Sequence, residues 1–241
     1  MNGGNNRQMK PSLFSQSAFV RVSPFVAFMA FIAVEEILRG LLQRQLVHFD
    51  VAVLHWLYIP KAALVALMLW VFRKHYAEVT MKDFLNVRMT VLSILSGLLI
   101  FILWINMDWT LGSQNAPAGF NPEIFTSESV KLLMIVVRVA GAVIIVPIME
   151  ELFWRSFLLR YLIDANFMAV AIGRFSLFSF VAVSILFGLE HHYVFAGIMA
   201  GVIFNGIYYT TRSIAQCILS HAVANLCLAA YVLGSGNWNF W

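Results

Sequence analysis

Charge is what this chain has least of. Only 12% of its 241 residues are Asp, Glu, Lys or Arg, while 61% are hydrophobic and the mean hydropathy is +0.81. A soluble domain carries about 25% charged and about 45–50% apolar residues, so these charges are too few to cover a water-facing surface. Cysteine is nearly absent as well. The two present, Cys217 and Cys227, lie in one apolar run, where ten residues of helix set them about 15 Å apart, beyond the reach of a disulfide. Internal repeats, low-complexity tracts and a domain linker are lacking. The start, MNGGNNRQMKPSLFSQ, is polar, and the apolar run after it ends in Glu35, Glu36 and Arg39 without a small-residue cleavage site, so the first hydrophobic segment is expected to stay as an anchor.

Apolar runs long enough to cross a hydrocarbon core of about 30 Å fill the rest. Helices are expected near 23–42, 51–72, 89–107, 133–159, 175–189, 193–209 and 214–233. This predicts an all-α, polytopic transmembrane bundle of about seven to eight helices: a polar segment 1–22, then one membrane-embedded domain 23–241. The net charge of +4 and pI near 9.2 do not indicate nucleic acid, because Lys and Arg fall between the apolar runs and not on one stripe. Arg7, Lys10 and Arg21 precede the first run, and Arg73, Lys74, Lys82 and Arg88 follow the second. Residues 108–128 hold no Lys or Arg, and Arg155, Arg160, Arg174 and Arg212 mark later connections. That alternation predicts a cytoplasmic N-terminus, with Arg39 and Arg44 as exceptions. The stretch 108–129, with Gly112, Pro117, Gly119 and Pro122, reads as an external loop.

Ionisable side chains inside spanning segments are costly and therefore candidates for function. Glu150 and Glu151 lie inside the run 133–159. On a helix Glu151 and Arg155 share a face while Glu150 points about 100° away, so Glu151 is neutralised locally and Glu150 stays available. An interfacial salt-bridge cluster is the plainer alternative. Phe187-Gly188-Leu189-Glu190-His191-His192 follows a run that barely spans, which can hold the imidazoles below the membrane surface; a harmless helix end is the alternative. His221 and Asn225 lie four apart on one face of an apolar helix and point at the same neighbour, either as a site or as interhelical hydrogen-bonding glue. Glu35, Glu36 and Arg39 read as a helix end with local pairing. Gly197, Gly201 and Asn205 form a small-residue face suited to close packing.

The order Glu150-Glu151-x-x-x-Arg155, Phe187-x-x-x-His191, His221-x-x-x-Asn225 resembles the CAAX prenyl endopeptidase and bacteriocin-processing family of intramembrane proteases, over about 133–233. The Val146-Pro147 before the carboxylates and the Glu-His-His after Phe187 look most like its bacterial prenyl-protease-related branch, which implies a bacterial inner membrane. The resemblance implies that Glu150 and His191 activate a water for attack on a peptide carbonyl, and that His221 and Asn225 hold the oxyanion. A carboxylate/imidazole pair is a sound base, and two convergent donors suit a tetrahedral intermediate. Metal-free catalysis is expected, since no His-Glu-x-x-His motif occurs. The alternative is zinc held by Glu150, His191 and His221. The expected partners are membrane lipid and a membrane-associated or lipidated peptide or protein, not nucleic acid. A transporter or scaffold using the same polar cluster is the competing reading. The concentration of polar residues in the C-terminal part, without a matching set in the first half, favours one enzyme site.

Overall fold

The computed structural model describes residues 15–109 and 119–241, and every regular element in them is helical. The elements are α1 (Gln16–Gln43), α2 (Ala52–Trp56), α3 (Tyr58–Phe72), α4 (Val87–Trp104), α5 (Glu128–Ala140), α6 (Val146–Glu151), α7 (Leu159–Tyr161), α8 (Leu177–Leu189), α9 (Val194–Thr211) and α10 (Ile214–Ser235). α5, α6 and α7 are one continuous rod, Glu128–Tyr161, interrupted by π-helical turns at Gly141–Ile145 and Leu152–Leu158. Among the described residues six helical spans are long and apolar enough to cross a membrane, and α8 is a shorter apolar helix beside them.

Local chemistry sets the boundaries. Ser15, Asn86, Ser176 and Ser213 cap α1, α4, α8 and α10 by accepting a backbone N–H from the first turn. α10 ends where Gly236 takes φ +72, a left-handed conformation that favours glycine. α1 begins at Gln16, earlier than the apolar run that starts at Ser23, because the Ser15 cap extends it through Arg21. Arg21 is tolerated there because it is buried against Glu78 at 2.7 Å and also reaches Ser156.

The large side chains of α4 show which surface meets lipid. Val91, Leu95, Leu99 and Ile102 point outward, whereas Ser93, Gly97 and Ile100 are buried. α4 packs on α10, α8 on α9, and α1 on α3 and the long rod. The α4/α10 approach depends on Gly97, whose absent Cβ would strike the Ser220 carbonyl and lie 2.8 Å from Val223 Cβ. The glycine face of α9 serves the α8/α9 seam. A Cβ on Gly197 would sit 2.8 Å from Gly188 Cα, and one on Gly201 would sit 3.1 Å from Ser184 Cα.

One expectation needs correction, and a second is described only in part. Glu35, Glu36 and Arg39 do not mark a helix end, since α1 continues to Gln43. Only Glu36 pairs locally, with Arg39 at 3.8 Å, whereas Glu35 binds Lys61 of α3 at 2.9 Å. Lys61 is buried, so a carboxylate from another helix is the counter-charge that makes its position tenable. Of the stretch read as an external loop, residues 110–118 lie outside the described residues. Its second part is no free loop: Gly119 (φ +63) fits beneath the Trp238 carbonyl, and buried Phe120 donates its N–H to the Trp241 carbonyl at 3.0 Å.

Candidate active site

Glu150, His191, His221 and Asn225, which come from three separate stretches of chain, line one cavity of about 300 Å³. Glu150 projects from α6, the α-helical turn held between the two π-helical stretches. π turns cost hydrogen-bond quality and concentrate at functional sites because they rotate the side chains that follow. The first one also has a local cause. In a π register the carbonyl of Ala142 looks to the N–H of residue 147, which is proline and has none. Asn225 of α10 supplies that donor, its Nδ2 binding the Ala142 carbonyl at 2.8 Å. This ties α10 to the rod one turn beyond His221 and leaves the second Nδ2–H of Asn225 for the cavity.

The paired carboxylates take different surroundings. Glu151 is fully buried, and its Oε1 accepts from Arg155 Nη1 at 3.0 Å and from His221 Nδ1 at 2.9 Å. Arg155 is held further by Asn205 Oδ1 at 3.2 Å and by the rings of Phe187 and Phe204, 4.7 and 5.1 Å away. Asn205 in turn donates to Ser184 at 3.1 Å. The ion pair on one helix is thus one end of a network through α8, α9 and α10. The Oε2 atoms of both carboxylates are buried without a hydrogen-bond partner, but Glu150 has no counterpart to the close pairs made by Glu151 Oε1: its nearest cationic group is His221, whose Nε2 lies 4.0 Å away.

Each imidazole is oriented by its Nδ1. His191 Nδ1 lies 2.7 Å from the Phe187 carbonyl, which can only accept, so Nδ1 carries the proton and Nε2 presents a lone pair. His221 Nδ1 donates to the Glu151 carboxylate, so its Nε2 is a donor only when the ring is an imidazolium. Trp104 and Phe187 pack on His191 at 5.2 and 4.9 Å, and Phe204 stacks on His221 at 4.7 Å. His192 is exposed and lines only the adjoining larger cavity, which separates it from Glu150.

Two residues at this site escaped the sequence reading. Glu190 comes to Glu150: oxygens of both carboxylates and a ring nitrogen of His191 all lie within 4.8 Å of one another. Among the described residues this trio is the group with metal-binding proximity, and it contains Glu190 in place of the expected His221. Glu190 caps α8 and the chain bends over the next three residues, so helical periodicity could not assign its direction. Arg138 also lines the cavity, and its charge inside the run 133–159 was the signal that should have singled it out.

No curated protein and no solved structure matches the chain. A family model does, over the segment that carries α6, α8, α9 and the His221 turn of α10. Residues 132–227 match the family model described as Rce1-like, type II CAAX prenyl endopeptidase Rce1-like.

Proposed function

We propose that this multi-pass membrane protein is an intramembrane endopeptidase that hydrolyses a peptide bond of a prenylated or otherwise membrane-associated substrate, in the setting of a bacterial inner membrane. The observation that carries the reading is the unequal treatment of the two carboxylates: Glu151 Oε1 is held by Arg155 and His221 away from the cavity, while Glu150 makes no such close pair and lines the cavity together with His191.

Glu150 and His191 activate a water. The proton passes to this pair as the hydroxide oxygen bonds to the scissile carbonyl carbon, and it is returned to the amine as the C–N bond breaks. Glu190 lies beside this pair, its carboxyl within 4.8 Å of both Glu150 and His191, placed to take part in the proton relay. The developing oxyanion is met by His221, whose ring Glu151 orients through Nδ1, and by the second N–H of Asn225. His191, His221 and Asn225 are each fixed by a hydrogen bond on the far side, which is the preorganisation such a site needs.

A metal-assisted version of the reaction has one specific support, the convergence of Glu150, Glu190 and His191. Tetrahedral zinc with ligands at about 2.0–2.1 Å places donors roughly 3.3 Å apart, so those side chains would have to draw together. The metal-free route needs no such closure and ranks first.

The test uses purified protein in proteoliposomes with a prenylated peptide ending in a CAAX sequence, products being identified by mass spectrometry. Wild type yields a defined C-terminal fragment, and Glu150→Gln lowers the rate at least about 100-fold. Near-normal cleavage by Glu150→Gln would remove Glu150 from the reaction.

A further inference from the structure

We propose that Arg138 is the receptor for the free α-carboxylate of the substrate, so that the enzyme measures the scissile bond from the end of the peptide chain. This rests on the peptidase reading of the cavity.

Arg138 lies on α5, three turns before Glu150 on the same rod, and both line the same cavity. A cation in an apolar bundle needs compensation, and the buried cations here have it: Arg21 has Glu78, Lys61 has Glu35, Arg155 has Glu151, and Arg160 has the carbonyls of Ser156, Met168 and Val170. Among the described residues Arg138 has none. Of the carboxylates that share the adjoining cavity with it, Glu35 and Glu36 are engaged by Lys61 and Arg39, and Glu190 is gathered with Glu150 and His191 and makes no ion pair with Arg138. The undescribed stretches 1–14 and 110–118 contain no Asp or Glu. Arg138 Nε is buried without a hydrogen-bond partner.

In place of an anion it has aromatic walls. The rings of Phe120, Tyr58 and Trp241 lie 4.7, 5.1 and 5.5 Å from its guanidinium carbon. Stacking on ring faces fixes the guanidinium plane and leaves its N–H edge open, the edge that pairs bidentately with a carboxylate. The Tyr58 hydroxyl steadies the same turn by donating to the Arg138 carbonyl at 3.3 Å.

The spacing limits the occupant. Twelve residues of helix separate Arg138 from Glu150 by about 18 Å along the axis, and the long arginine side chain spans several ångströms of that. An extended peptide covers about 3.3–3.6 Å per residue, so about three to four residues fit between a scissile carbonyl at Glu150 and a carboxylate at Arg138. The wall between them, with Phe28, Ile100, Phe101, Val146 and Leu228, suits apolar side chains.

The test compares two forms of one prenylated CAAX peptide, the free acid and the C-terminal amide. A ketomethylene group replaces the scissile amide so that binding is read without cleavage. Wild type should bind the acid roughly 10–100-fold more tightly than the amide, the range for hydrogen bonds to a charged group. Arg138→Gln should bring the ratio near one by weakening the acid alone, and Arg138→Lys should restore part of it. Equal binding of acid and amide by wild type, a comparison that needs no variant, would overturn the proposal, as would a ratio that survives in Arg138→Gln. Cleavage of the ordinary peptide is scored separately. Loss of the acid preference with cleavage intact refutes the Arg138 role alone, and acid preference without any cleavage refutes the peptidase reading alone.

Discussion

Replacing Glu151 by glutamine removes the one charge that balances Arg155 in a site where both side chains are fully buried. Breaking a buried pair by deleting one partner costs about 3–5 kcal/mol. Here the loss is smaller, because Arg155 keeps Asn205 and the faces of Phe187 and Phe204, and the glutamine oxygen can still accept from it. About 2–3 kcal/mol remains, which for a chain of this size is a fall in Tm of roughly 4–12 °C. Glu150→Gln makes the same chemical change one residue away, yet Glu150 has no close ion pair to lose, His221 Nε2 standing 4.0 Å off. Its Tm should stay within about 2 °C of wild type, a shift of under 1 kcal/mol. The assay is thermal unfolding in a mild detergent followed by size exclusion, run on both variants with peptide cleavage measured in parallel. The expected pattern is crossed: Glu151→Gln is unstable at every substrate concentration, and Glu150→Gln is stable and inactive. Equal destabilisation of the two variants, or an unshifted Glu151→Gln, would refute the division of labour between the paired carboxylates.

Activity should survive exhaustive treatment with a membrane-permeant chelator; loss on chelation with recovery on stoichiometric zinc would move the reaction to the Glu150, Glu190 and His191 set. His221→Ala and Asn225→Ala should each lower kcat about 10²–10³-fold with little change in KM, and the double variant should fall short of the product of the two, since both act on one oxyanion. A loss confined to KM in Asn225→Ala would limit that residue to holding the Ala142 carbonyl. Gly97→Ala should lower both Tm and turnover, because the new methyl pushes on the Ser220 carbonyl next to His221; unchanged turnover in a folded variant would show that α10 tolerates displacement.

Much of this protein is written in the order of its residues. Hydropathy and run length determined the membrane bundle, because a helix crossing lipid must be apolar over a fixed length whatever it packs against. The i, i+4 rule determined that Glu151 faces Arg155 and that His221 and Asn225 share a side, since these are relations within one helix. Relations between helices belonged to the tertiary structure. It alone decided that Glu35 turns to Lys61, that Glu190 swings from the end of α8 to Glu150, and that Asn225 answers a carbonyl left without its N–H by Pro147. It also decided that Arg138, one charge in an apolar run, is left without an anion in the cavity that holds Glu150. Periodicity gives direction only inside a regular helix, and these residues sit at a cap, beside π-helical stretches or opposite a neighbour whose position no local spacing encodes.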